Sequence, residues 1–138
     1  MIKADLDRQL MISIDNTLGS LAEVTSVISS SGINQLAICA YSVGNKVAIM
    51  FVTADNNAAK KLLEDQGFIV QEEEVVLLTI DNRPGALQRI TDKIADAGID
   101  LKLIYGSVSP NQELARIVII AENNLDVMMI IKTELERS

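Results

Sequence analysis

Hydrophobic and polar residues follow one another along the first half of the chain in blocks that predict short strands and amphipathic helices. In the block after the first strand, Leu21, Val24 and Ile28 recur at steps of three and four, so they share one face of a helix. Asn56 or Asn57 suits the N-cap of a second helix. The first half is therefore predicted as strand, helix, strand, strand, helix and short strand, at residues 9–14, 19–31, 33–43, 46–53, 56–66 and 68–70.

The second half repeats this order but ends without a last strand. Acidic residues 71–74 precede it, and we expect them to form a solvated bridge between the halves. Residues 1–6, or a neighbouring chain, would then fill the open edge of the second sheet. The predicted strands are residues 75–80, 100–108 and 114–121, and the predicted helices are residues 85–97 and 125–136.

The two halves are copies of one unit. Asp-Asn-Thr-Leu-Gly-Ser-Leu at residues 15–21 corresponds to Asp-Asn-Arg-Pro-Gly-Ala-Leu at residues 81–87, and Gly32 corresponds to Gly98 at the same offset. Each unit is expected to be a ferredoxin-like βαββαβ sandwich of class α+β, with both helices on one face of an antiparallel sheet. The predicted domains are residues 1–72 and 73–138, and the small size of each favours dimerisation.

Composition excludes several functions. The net charge of −7 disfavours nucleic acid and anionic membranes, which attract clustered Lys and Arg. The absence of histidine removes the commonest general base and metal ligand, so we expect neither an enzyme nor a metal or cofactor site. The single cysteine, Cys39, excludes an internal disulfide. No apolar run is long enough to span a bilayer and no export signal is evident, so the cytoplasm is the expected location.

The stretch Asp-Asn-Arg-Pro-Gly-Ala-Leu, followed by an amphipathic helix and Ala-Gly-Ile-Asp-Leu, resembles the ACT domain, a ferredoxin-like regulatory module of amino-acid-metabolising enzymes. The first copy, with Asp-Asn-Thr-Leu-Gly-Ser-Leu and Ser-Gly-Ile-Asn-Gln-Leu, resembles it less closely. Together the two matches cover nearly the whole chain. The chain therefore resembles a stand-alone tandem ACT protein.

The resemblance implies that a small ligand, usually a free amino acid, binds at interfaces between ACT units. Its usual contacts are the first strand-to-helix loop and the start of the second strand of a facing unit. Thr17 and Leu18 depart from the Arg-Pro pair of the second copy, and Asp100 stands where asparagine is common, so the two copies are not expected to be equivalent. The candidate ligand-binding residues are Asn16, Gly19, Asn34, Asn82, Arg83, Pro84, Gly85 and Asp100.

The chemistry of these residues suits an amino acid. The start of the helix at residues 85–97 favours a carboxylate, to which Arg83 could add a charged hydrogen bond, and Asp15, Asp81 or Asp100 could pair with the ammonium. Pro84 fits the first turn of that helix. The competing interpretation is that Asn16 and Asn82 only cap their helices and satisfy the turns.

Two functions from different classes remain after this reasoning. One is an amino-acid-binding regulatory protein, a homodimer through its ACT sheets or helices, acting alone or on an enzyme of amino-acid metabolism. The other is an interaction subunit that pairs with a partner enzyme without binding a small ligand. The loop residues favour the first function.

Overall fold

The computed structural model describes residues 1–136, which form two compact units. The first unit is Arg8–Glu73, and the second unit combines Met1–Asp7 with Glu74–Ser138. The strands are β1 (Ile2–Asp15), β2 (Gln35–Val43), β3 (Lys46–Thr53), β4 (Val70–Asp81), β5 (Leu101–Ser107) and β6 (Leu114–Ala121). The helices are α1 (Ser20–Ser30), α2 (Asn56–Asp65), α3 (Ala86–Asp96) and α4 (Asn124–Ile130), the last continued by a π-helical turn at Ile131–Leu135.

The first unit is an antiparallel sheet with strands in the order β2-β3-β1-β4, and α1 and α2 bury their apolar residues against it. Leu10 lies opposite Phe51 and Ile12 opposite Ile49, so these side chains share one sheet face. That face packs on Val24, Ile28, Ala59 and Leu63 of the two helices. The predicted α+β, ferredoxin-like arrangement is confirmed.

The second unit has the strand order β1-β4-β6-β5. The start of the chain, in β1, thus provides the last strand that the second repeat lacks. Ala4 is fully buried in a core with residues such as Val76, Ile90 and Ile131. Its backbone N–H donates a 2.7 Å hydrogen bond to the Glu136 carboxylate. The hypothesis that residues 1–6 fill this edge is confirmed, and no strand follows α4 within residues 1–136.

Residues 71–74 do not form the predicted bridge. They continue β4, which is one strand of 12 residues in place of a short strand, a linker and a second strand. Glu72 accepts ion pairs from Arg8 at 3.3 Å and from Lys60 at 3.5 Å, which offset its charge within the first unit. The acidic side chains of residues 71–74 suggested a solvated linker. Pairing with strands distant in sequence, and the two cations beside Glu72, instead favour a strand. The predicted domain limits, 1–72 and 73–138, stay a prediction.

The helix starts also differ in detail from expectation. The N-cap of α2 is Asp55, whose carboxylate accepts from the Ala58 N–H at 3.1 Å, and not Asn56 or Asn57. Asn56 instead accepts from Thr53 and donates to the Arg8 carbonyl oxygen. Within the described part of the chain, no helix combines the length and hydrophobicity that crossing a bilayer requires.

Candidate ligand site at the helix starts

The same backbone turn precedes α1 and α3. We call residues 16–20 the first mouth and residues 82–86 the second mouth. In both, the backbone N–H of the fifth residue donates to the carbonyl oxygen of the second at 3.2 Å, and a glycine with positive φ precedes the helix: 84° at Gly19 and 86° at Gly85. These angles fit the third position of a type II turn, which glycine occupies without strain.

This turn changes the expected roles of three residues. Pro84 lies at the second position of the turn, where proline is favoured, one residue before the glycine N-cap and not in the first helical turn. The two N-caps are Gly19 and Gly85, and neither has a side-chain cap. Asn16 and Asn82 therefore do not cap their helices, which excludes that part of the competing interpretation.

Asn82 holds the second mouth to a neighbouring loop. Its side-chain amide donates to the backbone carbonyl oxygens of Ser109 at 2.8 Å and Gln112 at 3.0 Å. Its backbone N–H donates to the Glu113 carbonyl oxygen at 2.8 Å. Asn82 thus fixes the position of the turn, and its amide nitrogen is already occupied.

The second mouth opens into a cavity of about 500 Å³, a size typical of small-molecule sites. Arg83, Pro84 and Gly85 line it, as predicted for the loop, whereas Asn82 does not. The Arg89 N–H donates to the Gly85 carbonyl oxygen and the Ala86 N–H donates to that of Arg83, so the N–H groups of Leu87 and Gln88 at the start of α3 are left without an intrahelical partner. The other lining residues are Met1, Ile2, Asp81, Ala86 and Arg89.

Positive charge dominates this cavity. The side chains of Arg83 and Arg89 and the N-terminal ammonium of Met1 share it with a single carboxylate, Asp81. The Asp81 carboxylate accepts a 2.6 Å hydrogen bond from the Met1 ammonium and lies 3.7 Å from the Arg83 guanidinium. The ammonium hydrogen bond lowers the pKa of Asp81 below its usual 3.8, partial desolvation opposes this shift, and the two positive charges assist it.

The first mouth is filled by its own side chain. Ser20 is only 7% exposed, and its hydroxyl lies 2.7 Å from the Thr17 carbonyl oxygen and 3.0 Å from that of Asp15. The Ser20 hydroxyl oxygen also accepts a hydrogen bond from the Thr17 backbone N–H at 3.2 Å. In the second mouth, the corresponding residue is Ala86, so the Ser20 hydroxyl and its hydrogen bonds have no equivalent there.

Charge also differs at the first mouth. Glu23, an acid in the first turn of α1, corresponds to Arg89 in the repeat. Asp15 pairs with Lys46 at 2.6 Å on the neighbouring strand, and this hydrogen bond and the Lys46 charge lower the Asp15 pKa. Asn16 and Gly19 are exposed. The first mouth therefore has the predicted turn but neither of the two arginines of the second mouth's cavity.

Asn34 and Asp100 follow the C-terminal ends of α1 and α3, whereas the two mouths precede the N-terminal ends of these helices. Asn34 follows α1, and its backbone carbonyl accepts from the Ala54 N–H. Asp100 follows α3, which has 11 residues and is about 16 Å long at 1.5 Å per residue. One unit therefore does not bring its loop and its second-strand residue together.

Asp100 lines a different cavity, of about 470 Å³, together with two further acids, Glu122 and Asp126. The backbone of Ala97 and Gly98, at the negative end of the α3 dipole, also lines it. The described residues contain no group of three or more acidic, cysteine or histidine side chains arranged to hold a metal ion. The two ends of α3 thus present opposite charges, positive at the mouth and negative beyond its last turn.

Sequence reasoning missed Arg89 and the start of the chain as parts of the site. Arg89 could have been found by comparing the repeats, because it replaces Glu23 one turn into the helix. Met1 and Ile2 could not, since only the folded sheet brings β1 beside the second mouth.

Comparison with known proteins finds the same fold in solved structures. No protein-family model matches the chain, and no match is found among the curated proteins. Protein BT0572 of Bacteroides thetaiotaomicron has a crystal structure that superposes with a TM-score of 0.83 at 28% identity, over 94% of this chain and 88% of that one.

Two regulatory subunits of aspartate kinase are similar over almost their whole length. The subunit from Thermus thermophilus superposes with a TM-score of 0.69 at 17% identity, covering 99% of this chain and 98% of that one. The subunit from Thermus flavus gives 0.63 at 19% identity, covering 98% and 97%. The chain therefore shares the fold of these subunits, with two ACT-like βαββαβ units.

Proposed function

We propose that this chain is a stand-alone tandem ACT protein that binds a free amino acid and regulates an enzyme of amino-acid metabolism in the cytoplasm. We assign it no catalytic role. Its predicted site residues are Asn16, Gly19, Asn34, Asn82, Arg83, Pro84, Gly85 and Asp100. The observation that carries the proposal is the cationic cavity at the second mouth.

The ligand carboxylate belongs in that cavity. Arg83 and Arg89 offer charged donors, and the start of α3 adds backbone N–H groups and the positive end of its dipole. Pro84 and Gly85 fix the turn, and Gly85 has no Cβ to block approach to the backbone. Asn82 acts as a positioning residue through its bonds to the loop at residues 109–112.

The ligand ammonium needs a second acidic partner, because Asp81, the one carboxylate that lines the cavity, already pairs with the Met1 ammonium and Arg83. An α-amino acid carries both charges on one carbon atom, whereas the mouth and the cavity of Asp100 lie at opposite ends of α3. A facing ACT unit in a homodimer would supply the acidic end, with Glu122 and Asp126 beside Asp100. This arrangement agrees with a site at an interface between units.

The similarity to aspartate kinase regulatory subunits supports an enzyme of amino-acid metabolism as the partner. In the alternative function, the chain would pair with that enzyme and bind no small ligand. Ligand binding by the isolated protein separates the two functions.

Calorimetry of the full chain with each of the 20 standard L-amino acids tests the proposal. We expect at least one to bind, and its carboxamide analogue, which lacks the carboxylate charge, to bind at least about tenfold more weakly because charged hydrogen bonds contribute roughly 1.5–3 kcal/mol. The N-acetyl derivative, which lacks the ammonium, should also bind weakly. No heat with any amino acid at millimolar concentration would favour the interaction subunit.

A matched pair of variants locates the site. Arg83→Gln should weaken binding, because it removes a cation from the wall of the cavity. Lys61→Gln removes the same charge from α2 in the first unit, away from both ends of α3, and should leave binding unchanged. Equal weakening by both variants would indicate a general charge effect and contradict a site at the second mouth.

A further inference from the structure

Three sulfur-containing side chains lie in one row across the sheet of the first unit. Met11 on β1 lies directly opposite Met50 on β3, and Cys39 on β2 lies opposite Met50 from the other side. Directly opposite residues of antiparallel strands share one sheet face, with Cβ atoms about 4.5–5.5 Å apart. The chain has five methionines and one cysteine, so half of its sulfur atoms lie in this row. We call Met11, Met50 and Cys39 the sulfur row.

The sulfur row lies on the sheet face that α1 and α2 do not cover. Side chains alternate between the two faces along a strand, and the neighbouring residues Ile12 and Ile49 belong to the core beneath the helices. Met50 is only 3% exposed, whereas Met11 and Cys39 are half-buried. The centre of the row is thus shielded from solvent, and both of its ends are accessible.

Packing alone does not require sulfur at these positions. In the second copy, the corresponding row is Leu77, Val118 and Tyr105, which pair in the same register and contain no sulfur. Apolar and aromatic side chains are therefore sufficient to fill such a row, yet all three positions of the first copy carry sulfur. The two copies differ here in donor atoms and not in fold.

The sulfur row has free space beside it. Met11 and Met50 line a cavity of about 270 Å³ together with Ser13 and Ala48, the small residues of the next row. None of the residues that line this cavity is charged. The cavity therefore lacks the carboxylates by which proteins usually hold Mg²⁺ and Ca²⁺.

We propose that the sulfur row binds one Cu(I) ion through the Cys39 thiolate and the thioethers of Met11 and Met50. Thiolate and thioether sulfur are soft ligands, which suit Cu(I). Cys39 releases its thiol proton to solvent as the sulfur–copper bond forms, so the ion and the thiolate together are neutral. A divalent ion would leave a positive charge beside an uncharged cavity, which is unfavourable. The absence of histidine removes one class of metal ligand, and the sulfur row supplies another.

Side-chain flexibility lets the three sulfur atoms converge on one ion. Neighbouring strands are about 4.7–4.9 Å apart, so the backbones of Met11 and Cys39 are separated by about 9–10 Å. Methionine has three rotatable side-chain bonds and adapts its shape readily. The two thioethers can therefore turn towards the short Cys39 side chain, which sets the position of the ion.

Competition with bicinchoninate, a coloured chelator of Cu(I), tests the inference on the full chain in the absence of oxygen. We expect the wild type to withdraw one Cu(I) per chain. Cys39→Ser should abolish this withdrawal, and Met11→Leu should weaken Cu(I) binding at least about tenfold, because loss of even an outer partner of a metal ligand costs about 10- to 100-fold. Met129→Leu removes an exposed thioether from α4 and should leave Cu(I) binding unchanged.

Three results of this competition would overturn the inference. The first is a wild type that withdraws no Cu(I). The second is Cu(I) binding that Cys39→Ser abolishes and Met11→Leu leaves unchanged, which would indicate a thiolate acting alone. The third is equal weakening by Met11→Leu and Met129→Leu, which would indicate binding outside the sulfur row.

Two further measurements complete the test. Thermal unfolding checks that each variant is folded, and X-ray absorption of the Cu(I)-loaded wild type needs no variant at all. Three sulfur neighbours of copper are expected in that spectrum, and fewer than three would overturn the inference. The inference goes beyond the proposed function, so Cys39→Ser should bind an amino acid as the wild type does, and calorimetry on this variant keeps the two proposals separate.

Discussion

The first and second mouths share one backbone and differ in the side chains on and beside it. Corresponding hydrogen bonds in the two turns agree within 0.3 Å, including those donated by the N–H groups of Glu23 and Arg89. Within the mouths, Thr17, Leu18 and Ser20 are replaced by Arg83, Pro84 and Ala86, and one turn into the helix Glu23 is replaced by Arg89. The backbone repeat thus supplies a common frame, and the side chains decide whether the frame holds an open cationic cavity.

The turns themselves show how much substitution the frame accepts. Leu18 occupies the position of Pro84 and is fully exposed, at 107% of its reference area, yet the turn is the same. Proline favours this position by presetting φ, but the following glycine is what permits the positive φ. Thr17 and Leu18, in place of Arg83 and Pro84, therefore change the charge of the loop and leave the backbone of the turn the same.

Arg89→Glu places the first-mouth residue in the second mouth and should have the largest effect. Replacing a charged donor with a carboxylate should weaken amino-acid binding by about 10- to 100-fold, since one charged hydrogen bond contributes roughly 1.5–3 kcal/mol. Calorimetry with the strongest-binding amino acid of the panel measures the change.

Glu23→Arg is the reciprocal variant of this pair. The Ser20 hydroxyl still fills the first mouth in this variant, so we expect no second binding site to appear. Unchanged affinity in Arg89→Glu would show that the charge difference between the mouths does not determine ligand binding.

Ser20→Ala tests the filled first mouth through stability. The substitution removes a nearly buried hydroxyl that contacts Asp15 and Thr17, so the free energy of unfolding should fall by about 1–2 kcal/mol. Urea denaturation measures the loss. Ser29→Ala removes an exposed hydroxyl from the same helix and should change stability by less than about 0.5 kcal/mol. Equal losses would mean that the Ser20 network does not stabilise the mouth.

Sequence patterns predicted most of the fold because they are local and repeated. The helices at 19–31 and 85–97 were placed within one residue at each end, since apolar spacing and the glycines at both ends agree. The strand through residues 71–74 was missed, because its glutamates suggest solvent while the cationic partners of Glu72, Arg8 and Lys60, are distant in sequence.

The site was predicted less completely, because part of its lining depends on contacts between residues that are distant in sequence. The turn residues Arg83, Pro84 and Gly85 follow from the repeat and line the cavity. Met1 and Ile2 line it too, but they reach it through strand pairing that no local pattern contains. The ligand-binding roles of all eight predicted residues stay a prediction.

Ala86→Ser transfers the first-mouth hydroxyl to the second mouth and should have a moderate effect. The new hydroxyl would lie near the Arg83 carbonyl oxygen, as Ser20 does with Thr17, and should stabilise the unit by about 0.5–1.5 kcal/mol. It would also compete with the ligand for the donors of the turn, so affinity should fall by a few-fold. Denaturation and calorimetry on one preparation measure both. A rise in affinity would show that the hydroxyl of the first mouth does not obstruct a ligand.

The smallest expected effect concerns Asp15 and Asp81, which have lowered pKa values for different reasons. Lys46 supplies the hydrogen bond and charge at Asp15, and the Met1 ammonium does so at Asp81. Because both pKa values are lower in the folded state, the stability they confer is present above the unfolded pKa and is lost as pH falls through the folded value.

Lys46→Ala should return the pKa of Asp15 towards 3.8 and leave the pKa of Asp81 unchanged, as NMR titration of the two carboxyl groups can measure. Lys61→Ala, which removes an exposed cation from α2, serves as the control. If Lys46→Ala moved both pKa values, the two mouths would share one electrostatic environment, and the comparison on which the single-site proposal depends would fail.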